Sequence, residues 1–284
     1  MVWRTKTGSF DAVRRMAIGS IPLCQERCFA ASKEKNRLMN TAQKIIAAPR
    51  KSICRISDHG LWDTTKWAWS HVAARYREWS LNIETESWVD VDKLGYDPEC
   101  HGYKPITFAR FDSVMKEIEV KPGEDVFLDY GCGKGRALVL ASVHPFRRAI
   151  GVELSTELCD VARENIGRAV RRLRCPAIEV VNADASRYEV PADVTMIFLW
   201  NSFVGQTLAM VVEQIRKSIE KNNRPLTLIY ALPQGEKDVM AECDWLYGRR
   251  QIPASFWTGI DVFVYQAGKT ERTVYQPLQS EPVR

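Results

Sequence analysis

The sequence has few residues of the kind that build metal centres, and it has no long hydrophobic run. Its four histidines are scattered and its eight cysteines form no Cys-x-x-Cys pair, so no zinc constellation is visible. The longest apolar run, 194–200, has the length of a strand and falls far short of the roughly 18–20 residues that a membrane span needs. We therefore expect no metal and no membrane span. With no hydrophobic signal segment, the scattered thiols favour a reducing, cytoplasmic location, and organelle import through the Arg-rich N-terminus is the alternative.

The charge is unevenly distributed along the 284 residues. Residues 1–56 hold 12 Lys/Arg and 3 Asp/Glu, a net of +9, whereas the whole chain has a net charge of +5. A solvated basic segment is favoured over a contact with nucleic acid, which stays open as a weaker alternative. We expect a loosely ordered segment over 1–57, a helical and irregular extension over 58–104, one main domain over 105–270 and a tail over 271–284.

A tryptophan-rich stretch precedes the main domain. Trp69, Val72, Tyr76 and Trp79 follow helical spacing within residues 62–80. A stripe of aromatic residues more often packs in a protein core than binds a ligand. We therefore favour packing of this stripe against the main domain over a role as a substrate or partner surface.

From residue 107 onward, short apolar runs alternate with helical periodicity. The predicted strands are 126–130, 149–154, 178–182, 194–200, 226–231, 245–249 and 261–266, and the predicted helices are 107–118, 136–143, 156–173 and 206–220. Such alternation indicates right-handed crossovers and a sheet covered on both faces. We predict an α/β fold with a doubly wound, mostly parallel seven-stranded sheet. An antiparallel C-terminal hairpin closes it and a helical N-terminal extension precedes it.

A glycine loop, Asp129-Tyr-Gly-Cys-Gly-Lys-Gly135, follows the first predicted strand and opens a helix. Ligands of open α/β sheets bind at that edge of the sheet. The dinucleotide fingerprint Gly-x-Gly-x-x-Gly is not matched, and a carboxylate at Asp129 would repel a pyrophosphate but suits a cationic ligand.

The segment Phe127 to Arg136 resembles the first motif of the class I, seven-strand S-adenosylmethionine-dependent methyltransferases. The resemblance covers about residues 103–266 and implies S-adenosylmethionine as the cofactor. It implies that Gly131, Gly133 and Gly135 lie under the methionine part and that Asp129 holds the amino end. Acidic residues follow the next two strands in the same order: Glu153, implied to accept the ribose hydroxyls, and Asp184, beside Ala185, implied to face the adenine amine.

The methyl-transfer site of this family lies at the end of the fourth strand, where the chain reads Trp200-Asn-Ser-Phe203. The resemblance implies that Asn201 orients a substrate nitrogen and that Phe203 packs beside the transferred methyl group. Ser202 stands where amine-methylating members usually have proline. A helix cap at Asn201 or Ser202 is the alternative.

A narrower similarity links the chain to the non-SET, seven-strand protein-lysine methyltransferases. It implies that residues 103–108 form a flap over the cofactor, with Tyr103 and Thr107 near its carboxylate. For Lys134 and Arg136, a solvated or salt-bridged role is favoured over contact with an acidic substrate or the cofactor carboxylate. Cys132 has no motif-level histidine partner, which favours simple packing.

These features together predict a methyltransferase that acts on nitrogen, with a protein lysine or a small-molecule amine as acceptor. Two alternatives stay open: an NAD-type oxidoreductase on a similar sheet, and a non-catalytic module that binds the cofactor.

Overall fold

The computed structural model describes residues 65, 69–86, 103–200, 202–233, 238–253 and 260–268. The compact unit that contains the sheet begins at Trp69, so it includes part of the predicted extension. In the described residues no helix is long and apolar enough to cross a membrane.

The core of this unit is one seven-stranded sheet. Its strands are β1 (Val126–Tyr130), β2 (Arg148–Glu153), β3 (Ile178–Asn182), β4 (Met196–Trp200), β5 (Leu226–Pro233), β6 (Leu246–Ile252) and β7 (Ile260–Ala267). The strand order is β3-β2-β1-β4-β5-β7-β6. β7 alone runs antiparallel to its neighbours β5 and β6. The predicted fold class, with its C-terminal hairpin, is confirmed.

Two helices precede β1 along the chain, and three lie between strands. They are α1 (described over 69–81), α2 (Phe108–Lys116), α3 (Arg136–Ser142), α4 (Thr156–Ala169) and α5 (Gly205–Lys221). The predicted helix over 156–173 ends earlier, in a single 3-10 turn at Val170–Arg172. Thr107 and Ser155 begin α2 and α4 by accepting a backbone N–H on their side-chain oxygens, which satisfies one of the free donors of a first turn.

Apolar side chains fill both faces of the sheet. Phe127 and Phe198 pack with α2 and α3 on one face, whereas Leu128 and Ile197 pack with α5 on the other. Successive side chains of a strand point to opposite faces, so strands with continuous apolar sequence are those covered on both sides. This burial holds the carboxyl ends of β1 to β5 at one edge of the sheet.

Helix α1 packs in the opposite orientation to the one predicted. Trp69, Val72, Tyr76 and Trp79 are 58–75% exposed. The helix faces the domain with Ala74, Glu78 and Leu81. The prediction that its aromatic stripe packs against the main domain is wrong, because Glu78 on the other face meets a buried arginine of α3.

Candidate functional site

The glycine loop turns sharply between β1 and α3. Gly131 and Gly133 have φ of +72° and +53°, a conformation that favours glycine. Both also lie too close to a neighbour for a side chain: a Cβ on Gly133 would stand 2.2 Å from Cδ2 of Tyr103, and one on Gly131 would stand 2.7 Å from Oγ of Ser202. The loop is therefore enclosed by the segment before α2 on one side and by the end of β4 on the other.

Two carboxylates lie beside this loop, at the ends of β1 and β2. Asp129 is buried, and this burial, together with the neighbouring Glu153, raises the pKa of Asp129 to about 8. Glu153 is also buried, and its two oxygens accept the N–H groups of Gly133 and Ser155, each at 2.9 Å. The hydrogen bond from Gly133 to Glu153 thus joins the loop to β2. The buried carboxyl group of Asp129 favours a positively charged ligand.

Asp184 follows β3 at the same edge of the sheet. Its Oδ1 accepts the N–H of Ser186 at 2.9 Å and the hydroxyl of Ser186 at 2.7 Å, as a turn acid does. Its Oδ2 lies 3.7 Å from Nε of Arg187. Asp184 therefore has a structural role in this turn, and it also lines the cavity at the strand ends.

A cavity of about 350 Å³ opens over the strand ends. Its volume is in the range of small-molecule sites. It joins the glycine loop, the strand-end acids, the segment before α2 and the first residues after β4. The predicted site residues that line it are Tyr103, Asp129, Gly131, Gly133, Glu153, Asp184, Ala185 and Phe203.

Two of the predicted residues that the structure describes, Thr107 and Gly135, do not line this cavity. Thr107 caps α2. Gly135 opens α3 with φ +78°, and a Cβ there would stand 3.1 Å from Cβ of Ala162. Asn201 lies outside the described residues.

The end of β4 forms an aromatic wall of the cavity. Trp200 and Phe203 line it, and Trp200 stacks on the buried Phe198 with ring centroids 6.1 Å apart. Between them, Ser202 donates its hydroxyl to the carbonyl oxygens of Tyr130 at 3.1 Å and of Trp200 at 3.3 Å. This hydroxyl joins the ends of β4 and β1, a contact that the sequence alone does not indicate.

Two further loop side chains are buried. Cys132 packs against Gly151, where a Cβ would stand 2.7 Å from its sulfur, and burial raises the pKa of its thiol well above the usual range. This burial agrees with the packing interpretation of Cys132, which also lines the cavity. Nζ of Lys134 lies 5.4 Å from the ring centroid of Tyr103, and burial lowers its pKa. The described residues contain no group of side chains that could hold a metal ion.

Sequence reasoning missed two parts of the site. Trp200 was assigned only to a strand, yet it lines the cavity, and its place as the last residue of β4 was the available signal. The salt-bridged role favoured for Arg136 is confirmed, but its burial and its partners Glu78 and Glu86 were not predicted. No local pattern joins these residues, because they stand 50 or more positions apart.

Comparison with known proteins agrees with this geometry. A family described as "Methyltransferase domain" matches residues 127–222, from β1 to the residue after α5. The search of curated proteins finds no match to this chain. The family match disfavours the oxidoreductase and non-catalytic alternatives.

Solved structures give distant matches. An RNA methyltransferase from Salinibacter ruber in complex with S-adenosylhomocysteine is 17% identical with a TM-score of 0.39, over 61% of this chain and 98% of that one. An rRNA methylase from Streptococcus thermophilus is 11% identical with a TM-score of 0.43, over 59% and 98%. A putative methyltransferase from Escherichia coli is 16% identical with a TM-score of 0.46, over 58% and 88%. At these values the likeness carries no information about substrate.

The residues present fit the cofactor of this family. A buried carboxylate of raised pKa, a second carboxylate fixed by backbone N–H groups and a glycine loop without room for side chains suit a cationic nucleoside ligand better than a pyrophosphate. Residues 127–222 are therefore similar to a methyltransferase domain, and they belong to a sheet with the strand order β3-β2-β1-β4-β5-β7-β6.

Proposed function

We propose that the protein transfers the methyl group of S-adenosylmethionine to the nitrogen of an amine, either a protein lysine or a small-molecule amine. The observation that carries this proposal is the composition of the acceptor end of the cavity. It presents the rings of Trp200 and Phe203, and the hydroxyl of Ser202 there is committed to backbone carbonyls. Aromatic rings attract an alkylammonium group before it loses its proton.

The distribution of acids supports a nitrogen acceptor. Among the described lining residues no histidine is present, and the three carboxylates, Asp129, Glu153 and Asp184, stand at the ends of β1 to β3 rather than at β4. A hydroxyl or carbon acceptor needs a strong base, whereas a neutral amine already has the lone pair that it needs.

Each residue then has a defined role in the proposal. Asp129 holds the ammonium of the cofactor, Glu153 its ribose hydroxyls, and Asp184 its adenine amine. Bound S-adenosylmethionine supplies a methyl group activated by its sulfonium. Phe203 and Trp200 exclude water beside that methyl group, and Asn201 orients the acceptor nitrogen, so catalysis is mainly placement in a dry pocket.

The reaction balances without a further co-reactant. The bound alkylammonium would first give a proton to water, and the nitrogen lone pair would then form the new C–N bond while the C–S bond breaks and its electrons stay on sulfur. The methylated ammonium then gives its proton to water.

The test is transfer of tritiated methyl groups from S-adenosylmethionine into fractionated cell extract. We expect label in lysine of the protein fraction or in amines of the small-molecule fraction, and loss of label with Asp129→Ala or Glu153→Ala. Asn201→Ala and Phe203→Ala should lower turnover more than cofactor affinity. Label confined to nucleic acid, or label released by mild base as from an ester, would contradict the proposal.

A further inference from the structure

Residues 83–86 form a strap that runs from the end of α1 beside the glycine loop. Oε1 of Glu78 on α1 accepts the N–H of Thr85 at 2.6 Å and its hydroxyl at 2.8 Å. The hydroxyl of Tyr103 donates to the carbonyl oxygen of Thr85 at 2.9 Å. The strap is therefore joined both to α1 and to the residue that lies against Gly133.

Two buried side chains join the strap to the glycine loop itself. Asn165 of α4 accepts the N–H of Glu84 at 2.9 Å, and its amide donates to the carbonyl oxygens of Glu84 at 3.2 Å and of Lys134 at 2.9 Å. Arg136, the first residue of α3, reaches the strap from the other end of the loop.

The guanidinium of Arg136 is almost fully engaged by protein groups. Nε donates to the hydroxyl of Thr85 at 2.6 Å and Nη1 to the carbonyl oxygen of Ile106 at 3.0 Å. Nη2 meets Glu86 at 2.8 Å and Glu78 at 3.3 Å. Four of its five N–H groups thus have protein acceptors, and two carboxylates balance its charge.

This arrangement decides between two roles for Arg136 in the cofactor site. An arginine that binds the cofactor carboxylate directly needs free donors and unbalanced charge. An arginine that holds the strap needs acceptors on the strap and on its neighbours. Thr85 and Glu86 provide them on the strap, and Glu78 and Ile106 provide them beside it. The side chain is also only 3% exposed, although it borders the cavity.

We propose that Arg136 is a positioning residue that latches the strap to the glycine loop and thereby fixes Tyr103, which the strap holds through Thr85, as a wall of the cofactor site. Glu78 is the matching half of this latch, although it does not line the cavity. The proposal depends on cofactor binding by this site and is independent of the acceptor.

The two roles predict opposite results for Glu78→Gln, read by calorimetric titration of the full chain with S-adenosylhomocysteine. A latch predicts binding at least about tenfold weaker, because the strap loses its charged acceptor. A direct carboxylate ligand predicts unchanged or tighter binding, because Arg136 is released from a competing anion. Arg136→Lys keeps the charge but loses the branched donor set, so the latch predicts a similar loss there.

Arg77→Ala is the matched control on the same helix. Arg77 pairs with Asp112 of α2 and, although it also lies over the Phe108 ring, among the described residues no hydrogen bond or ion pair joins its side chain to the strap, so we expect wild-type affinity. Circular dichroism verifies that each variant is folded.

Hydrogen exchange keeps the proposal testable if a variant fails to fold. In the wild-type protein, S-adenosylhomocysteine should slow exchange of the Glu84 and Thr85 amides. Unchanged exchange of these amides, or wild-type affinity in both latch variants, overturns the proposal. Failure to label an amine in the transfer assay would leave this titration unaffected.

Discussion

At the scale of single residues, the site combines two neighbouring carboxyl groups, whose negative charges repel each other, with glycines that have no room for a side chain. Asp129 is buried beside Glu153, an arrangement that costs stability in the free protein and favours a cationic ligand. Functional sites commonly hold such unfavourable groups, since the ligand relieves them.

The unfolding free energy of the free protein should depend on pH through the protonation of Asp129. Its pKa of about 8 lies above the unfolded value of about 3.9. Between these values the folded state binds a proton that the unfolded state has released, so this carboxyl lowers stability as pH rises through that range. We expect Asp129→Asn to gain stability relative to wild type from pH 5 to pH 8 in urea unfolding. Parallel stability curves for the two proteins would contradict this expectation.

The affinity for S-adenosylhomocysteine should also depend on the protonation state of Asp129, but it should rise with pH, whereas stability falls. Its ammonium favours the ionised carboxylate, so wild-type binding should tighten from pH 6 to pH 8 and release a proton. Calorimetry in buffers of different ionisation enthalpy measures that proton. In Asp129→Asn, binding should be weaker and this proton release lost.

Gly133→Ala tests the close approach of Tyr103 to the loop. A Cβ there meets the Tyr103 ring at 2.2 Å, whereas a Cβ on Gly123, at φ +72°, meets nothing within 4 Å. Gly123→Ala should cost about 1 kcal/mol of unfolding free energy from backbone strain alone. Gly133→Ala should cost a further ~1–3 kcal/mol and weaken cofactor binding. Equal losses in the two variants would remove the steric argument.

At the scale of elements, α1 shows how a charged face can determine the packing of an aromatic helix. Its Trp, Tyr and Val side chains lie exposed, while Leu81 and Glu78 face the domain. Without Glu78, the buried Arg136 would keep only the half-exposed Glu86 as its carboxylate partner, and a poorly compensated buried charge costs more than exposing single aromatic rings.

This orientation predicts unequal effects of two substitutions on α1. Trp79→Ser should change the unfolding free energy by less than about 0.5 kcal/mol, since the ring is 75% exposed. Leu81→Ala should cost about 2–3 kcal/mol, because the side chain is buried in the core. Chemical denaturation measures both. A larger loss for Trp79→Ser than for Leu81→Ala would reverse the assignment of the faces.

At the scale of the whole molecule, buried polar contacts join the sheet domain to the segment before it. The strap supplies acceptors for Arg136 and Asn165, which are both buried. Without the strap, these polar groups would lose partners that water cannot fully replace.

Two truncations test this dependence. A chain that begins at residue 69 should keep the thermal stability and S-adenosylhomocysteine affinity of the full chain, because the compact unit begins there. A chain that begins at residue 87 lacks α1 and the strap and should lose most of both. Full affinity in the shorter chain would show that the strap is dispensable.

The sequence by itself determined the sheet and three of its strand-end acids. Local patterns carry this information, because apolar runs identify buried strands and the glycine loop identifies the first crossover. Asp129, Glu153 and Asp184 follow strands whose ends meet at one edge, so a linear pattern predicts a shared cavity.

Only the tertiary structure decided the orientation of α1 and the partners of Arg136. Both faces of α1 have the periodicity of a packed helix, and the choice between them depends on an ion pair between residues 58 positions apart. It also decided that Thr107 caps a helix and that Ser202 joins two strand ends. Such contacts depend on geometry between distant segments, which no local pattern of residues encodes.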